Sequence, residues 1–228
     1  MIARQPPLLV TVQRVLERTY RMRSGIDDPG RFIIGDHGFT RFYRDVEMPC
    51  SVSAASGEGA TTIVRDSPTG PRVAVYLPDR LVATLERFPP QCGVFERNVD
   101  AFATLVEELD HLLLIAERAA VSRPVTMFEL ELHANVSKHL VLTRYLAGAR
   151  SRLAPAARRW LRHHLFDKVR YSEPDPSVRQ RYRDARRWAV RLIDGLAGLD
   201  ADDRIGLLRR FHREPTSGKL SLIARLAA

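Results

Sequence analysis

Among 228 residues there are two cysteines, three lysines in a basic complement of 36, and no apolar run near the ~20 residues that a bilayer-spanning helix needs. Each scarcity excludes something. Cys50 and Cys92 are far apart, which rules out the close pairing of a zinc ribbon or redox motif. Reduced, partly buried thiols are the expectation, and a disulfide between the two stays open. The start of the chain lacks a charged region followed by a long apolar segment and a small-residue cleavage pattern. The sequence therefore predicts no signal peptide, no membrane attachment and a cytoplasmic location. Internal repeats, low-complexity tracts, and helix-turn-helix, zinc-finger or RNA-recognition signatures are missing too.

What is present suffices for a real core, since 45% of residues are hydrophobic, and the length suits one domain with a small appendage. The net charge of +9 is carried almost wholly by arginine along the whole chain, which lowers its weight as a functional signal. Its distribution says more. Residues 96–145 hold 5 basic against 8 acidic residues, whereas residues 146–228 hold 19 against 9. A basic tail of this kind points to phosphate, nucleic acid or an acidic partner.

Apolar residues at helical spacing predict an amphipathic helix over 8–22. A loop follows at 25–30, and Gly35-Asp36-His37-Gly38 reads as an ordinary turn rather than a phosphate loop, because no Gly-Lys-Ser follows it. Residues 46–59 read as a surface loop with a short strand at 51–54. The β-branched runs 61–65 and 72–77 predict a hairpin joined by 66–71. A helix over 80–88, capped by Asp79, must end at Pro89-Pro90. Two long helices occupy 98–146, hinged at Ser122-Arg123-Pro124. Helices from Pro155 to about 169, over 177–197 behind the Asp175-Pro176 start, over 204–212 behind an acidic first turn, and over 219–226 complete the chain. The fold class predicted is α+β, a small β-hairpin or sheet region packed with a predominantly helical core and a helical C-terminal part. Residues 1–150 would form the core with its N-terminal helix, and 151–228 a basic helical region packed on it.

Possible chemistry gathers in the two central helices. Phe102, Leu105, Leu109, Leu112, Leu113 and Ala116 share one apolar face, and Glu107 and His111, one turn apart, lie nearly opposite it beside Leu114. An apolar neighbour implies that this second face is covered too, and a covered Glu/His pair needs a partner or a metal. Glu108 stands three residues before His111. On the second helix Glu131 falls 20 residues after His111, and Asn135 one turn after Glu131.

Glu107-Glu108-x-x-His111 resembles the His-Glu-x-x-His helix of the zincin metallopeptidases with the first histidine replaced by glutamate. The likeness extends over about residues 60–146, and the later Glu131 and Asn135 match the glutamate-zincin branch. The resemblance implies Glu107, His111 and Glu131 as metal ligands, Glu108 as the general base, Asn135 as a supporting residue, and zinc or another divalent ion as the cofactor. A Glu/His/Glu set is more anionic than His/His/Glu and weakens the metal as a Lewis acid, so a metal-dependent hydrolase, an inactive derivative that binds a peptide or protein partner, and a scaffold holding no metal all follow from it.

Other readings compete. Glu107 with His111 also reads as a one-turn pair on a solvated face, and Glu131 with Asn135 or Lys138 as a polar network. Thr126-x-x-Glu129 is a capping box, so Glu129 is read as structural, and His133 and His139 as surface or packing residues. Glu108-x-x-His111 is half of a di-iron bundle motif whose second half is missing. In the tail, arginines at 158, 159, 162, 179, 181, 183, 186, 187 and 191 interleave with Trp160, Tyr171, Tyr182 and Trp188, which offers a non-catalytic alternative, a helical module binding nucleic acid or an acidic protein. Tyr182 also fits a core stripe with Arg179, Arg183, Arg186 and Arg187 opposite it, the pattern of a solvated arginine face.

Overall fold

A computed structural model describes residues 7–44, 51–52, 59–65, 72–148, 150, 153–171 and 173–226. Among these, α1 (Leu8–Tyr20) leads into a four-stranded sheet with two short helices, followed by six further helices. The sheet is built from β1 (Ile33–Ile34), β2 (Ser51–Val52), β3 (Thr61–Arg65) and β4 (Arg72–Tyr76) in the order β1-β4-β3-β2. The expected hairpin is β3 against β4, with Ile63 opposite Ala74. The strand expected at 51–54 is the short β2, antiparallel to β3, and β1 joins β4 in parallel. The architecture is α+β and mainly helical, as the periodicity predicts.

Two glycines conceal a helix. Asp36–Arg44 forms α2, although Gly35 and Gly38 read as a turn in sequence. α3 (Asp79–Arg87) explains Gly35: Asp79 lies so close that a Cβ there would collide with its Oδ1, which accepts the Asp36 N–H at 3.3 Å. Asp79 is thus a helical residue stabilising the start of α2 by charge and hydrogen bond, not the cap of its own helix.

α4 (Val99–Ala120) and α5 (Met127–Ala147) pack antiparallel at the centre. Asn98 ties the entry to α4 by accepting from Phe95 N at 2.8 Å and donating to Phe88 O and Gly93 O at 2.9 Å. Thr126 caps α5 by accepting from Glu129 N at 3.1 Å, as the capping box requires. Both helices are buried nearly all round, because β3, β4, α1 and α3 cover α4 while α7 (Pro176–Ala197) lies along α5. A helix covered on every side must place its polar residues against partners.

The C-terminal helices complete the same core. α6 (Pro155–Arg162) passes into a π-helical turn, His163–Asp167, where the pattern suggested one continuous helix. α8 (Ala201–Arg213), capped by Asp200, rests on α1, and α9 (Thr216–Leu226) on α7. One apolar cluster runs from Val12 through Phe102, Leu132 and Leu192 to Ile223. Residues 151–228 thereby contribute to the same core as the first part of the chain. Cys50 and residues 53–54 lie outside the described residues; Cys92 is a free, exposed thiol.

Candidate metal centre

The facing sides of α4 and α5 bring Glu107, His111 and Glu131 together. One potential ligand atom from each lies within 4.8 Å of the others. Ligands of a tetrahedral zinc ion, with bonds of ~2.0–2.1 Å, stand about 3.3 Å apart, so small side-chain rotations would close the set. Helical periodicity puts Glu107 and His111 on one face, and the antiparallel packing brings Glu131 opposite them.

Burial makes the grouping chemically costly. Glu108, His111 and Glu131 are 0%, 1% and 1% exposed, yet Glu108 Oε1, both ring nitrogens of His111 and Glu131 Oε1 have no hydrogen-bond partner. Buried polar atoms normally find partners, and here four orphans converge. Glu108 Oε2 accepts from Thr62 Oγ1 of β3 at 2.7 Å and lies 3.6 Å from His111 Nδ1. Glu107 Oε2 accepts from Lys138 Nζ at 2.7 Å, so the lysine expected beside Glu131 pairs across to the neighbouring helix.

Protonation follows from these neighbours. Burial and the adjacent Glu107 and Glu108 outweigh the pull of His111 and Lys138 and push the Glu131 carboxyl up to about 8. Burial opposes charge on His111, but the Glu108 carboxylate 3.6 Å from its Nδ1 and the fields of Glu131 and Glu107 raise it to about 9. At neutral pH, Glu131 therefore holds a proton and His111 is cationic. Exchange of those two protons for one divalent cation leaves the net charge of the cluster unchanged. The donor set and charge both fit a divalent metal.

Asn135 donates its amide to the backbone carbonyl of Glu131, one turn back at 2.8 Å, and so acts on the α5 backbone. Sequence reasoning missed Thr62, Tyr171 and Tyr182 as neighbours of the centre. The hydroxyls of Tyr171 and Tyr182 are raised, first by burial, with the Glu107 and Glu131 charges adding to it. Their rings stack at 5.3 Å. Tyr182 was legible only as part of an apolar stripe, because no local pattern tells which helix a stripe will cover.

A second buried chain links α4 and α5 to α8. Asp110 Oδ2 bonds His133 Nδ1 at 2.8 Å, His133 Nε2 bonds His212 Nδ1 at 3.1 Å, and His212 Nε2 meets Glu117 Oε2 at 2.8 Å. Ser137 donates to Asp110 at 2.7 Å, so Tyr20, 2.9 Å from the Ser137 hydroxyl, donates to it in turn. His133 is fully buried and hydrogen-bonded on both ring nitrogens. Burial works against ionised Asp110 and Glu117, but His133 and Ser137 hold the first below its usual range, and His212 and the Arg23 N–H bring the second down to about 2. Nearby, Glu129 receives Lys219 Nζ at 2.9 Å and Arg118 at 3.3 Å, which gives the capping residue a tertiary role and the fully buried Lys219 its counterion.

Several tail arginines serve the fold. Arg186 donates to Phe166 O at 2.7 Å, Arg179 to the carbonyls of Glu173 and Pro174, and Arg187 pairs with Asp184 at 2.9 Å. Tyr182 is buried, and Trp160 and Trp188 are half-buried against the core. No helix among the described residues is long and apolar enough to cross a membrane. Comparison with family models, curated proteins and solved structures gives no match.

Proposed function

We propose that the chain is a metal-binding protein in which Glu107, His111 and Glu131 hold one divalent cation between α4 and α5. The observation that carries this reading is the convergence of unpartnered, fully buried atoms of His111 and Glu131 within ligand distance of Glu107. One imidazole and two carboxylate oxygens suit zinc. When bound, the ion would supply positive charge joining the two central helices, and its binding energy would add to stability.

Of the outcomes open to a zincin-like helix pair, the sealed geometry favours an inactive derivative over a working peptidase. A peptidase needs its metal and base open to a polypeptide, whereas Glu108, His111 and Glu131 have almost no exposed surface and Glu108 is tethered by Thr62. One observation supports hydrolysis of a small substrate as a second reading: Glu108 Oε1 is buried, unpartnered and beside His111, as a general base would be.

Elemental analysis of untagged protein tests the proposal. Wild type should carry about one zinc-like ion per chain after zinc exposure and dialysis, and His111→Ala should carry none. Absence of metal from wild type, with a melting temperature unmoved by zinc or chelator, would refute it. Glu108→Gln separates the two readings, because it should retain the ion in both and abolish ester hydrolysis only in the second.

A further inference from the structure

The face of α5 near its C-terminal end lines a different cavity, of about 360 Å³, between α5, α6 and α7. Its walls include Leu140, Leu153, Phe166, Val190 and Ile193. That volume is at the lower end of the roughly 300–1,000 Å³ typical of small-molecule sites, which combine apolar walls with a few placed polar groups. The polar groups are here. His139 and Thr143, one turn apart on α5, both line the cavity, and His139 Nδ1 and Thr143 Oγ1 are buried without a hydrogen-bond partner. Each is a group whose burial has a cost that a ligand atom would relieve.

The rim is cationic. Arg158, Arg159, Arg162 and Arg204 line the cavity against a single carboxylate, Asp194. Arg162 is committed to Asp194 at 2.7 Å, and Arg204 to the carbonyls of Leu196 and Leu199 at 3.2 and 2.8 Å. Arg158 and Arg159 are exposed and have neither an ion pair nor a hydrogen-bonded partner for their guanidiniums among the described residues. Two uncommitted guanidiniums at the mouth of an apolar cavity are complementary to one anionic head group on an apolar body. Burial, reinforced by Arg162 and Arg158, lowers His139 to about 4, so its ring is neutral and available for hydrogen bonding rather than repelling such a ligand or pairing with it.

We propose that the cavity between α5, α6 and α7 binds a small anionic amphiphile, its acid group held by Arg158 and Arg159, its apolar body packed against Leu140, Phe166 and Ile193, and a hydroxyl or carbonyl carried on that body meeting His139 and Thr143. The site lies apart from the metal centre and is independent of that reading.

Calorimetric titration of the full-length protein with decanoate and with decyl phosphate tests this, with decanol and decyltrimethylammonium as neutral and cationic controls. Both anions should bind, the tighter one naming the preferred head group. Charge-assisted contacts of this type make an Arg158→Gln/Arg159→Gln double variant about tenfold weaker or worse, and added salt should weaken wild type in parallel. The double variant changes exposed residues only; Thr143→Val, nearly isosteric, should not weaken decanoate, whose alkyl chain has no hydrogen-bonding atom, and should remove the gain that a hydroxylated decanoate shows over decanoate on wild type. Failure of both anions to bind at millimolar concentration, decanol binding as tightly as decanoate, or the double variant binding like wild type would each overturn the proposal.

Discussion

If a divalent ion replaces the protons on His111 and Glu131, its uptake must depend steeply on pH. His111 stands at about 9 and Glu131 at about 8 in the metal-free protein, so both carry a proton throughout the range below pH ~7.5. The two titrate as a coupled pair, and both protons leave when metal enters. The logarithm of the association constant should then climb by about two per pH unit, roughly a hundredfold or ~2.7 kcal/mol. Competition with a chromophoric zinc chelator between about pH 6 and 7.5, corrected for chelator protonation, measures that slope. Proton release read by calorimetry in buffers of different ionisation enthalpy gives the same number independently. A slope below about one, or release of less than about one proton per ion, would show that the cluster does not hold its protons as described.

The same groups set a sign for the metal-free protein. His111 is raised from 6.5 and Glu131 from 4.5, so the folded state binds more protons than the unfolded state. Their contribution to stability is full below those unfolded values and is lost as pH rises through about 8 and 9; bound metal should flatten this alkaline decline.

Three further outcomes are expected. Lys138→Met removes the partner of a largely buried Glu107 carboxylate, a loss of about 3–5 kcal/mol in metal-free protein by urea unfolding, and an unchanged midpoint would place Glu107 in solvent. Glu117 runs the opposite way to Glu131: its pKa falls from 4.5 to about 2, so its contribution is full above 4.5 and is lost as pH drops through about 2, and Glu117→Gln should shallow the acid limb of stability between those values. Gly35→Ala should cost about 1–3 kcal/mol through collision with Asp79, and the cost should shrink in an Asp79→Ala background; additivity in that double-mutant cycle would remove Asp79 as the cause.

Much of this molecule is legible residue by residue. The 3.6-residue apolar period of α1, α4 and α7, the Thr126 and Asp175 starts, the proline stop after α3 and the β-branched runs of β3 and β4 are local properties, and each element forms where its pattern lies. α2 escaped because a glycine needed for close approach looks, in one dimension, like a glycine needed for a turn. The candidate ligands were visible for the same local reason: Glu107 and His111 must share a helix face, and a second helix returning antiparallel brings Glu131 within reach.

Partners across the fold were not visible. Pairing of Lys138 with Glu107, of His133 with Asp110 and His212, and of Lys219 with Glu129 joins residues 23 to 90 positions apart, on helices whose relative rotation no local pattern states. By itself the sequence determined most of the elements, the acidic character of the central helices and the spacing of Glu107, His111 and Glu131, because these depend on local pattern alone. Only tertiary packing decided that the centre is sealed, that His111 is cationic and Glu131 protonated, and that some tail arginines serve carbonyls while others rim a cavity. Burial and proximity set those properties, and both exist only once α7 and the sheet have closed over α4 and α5.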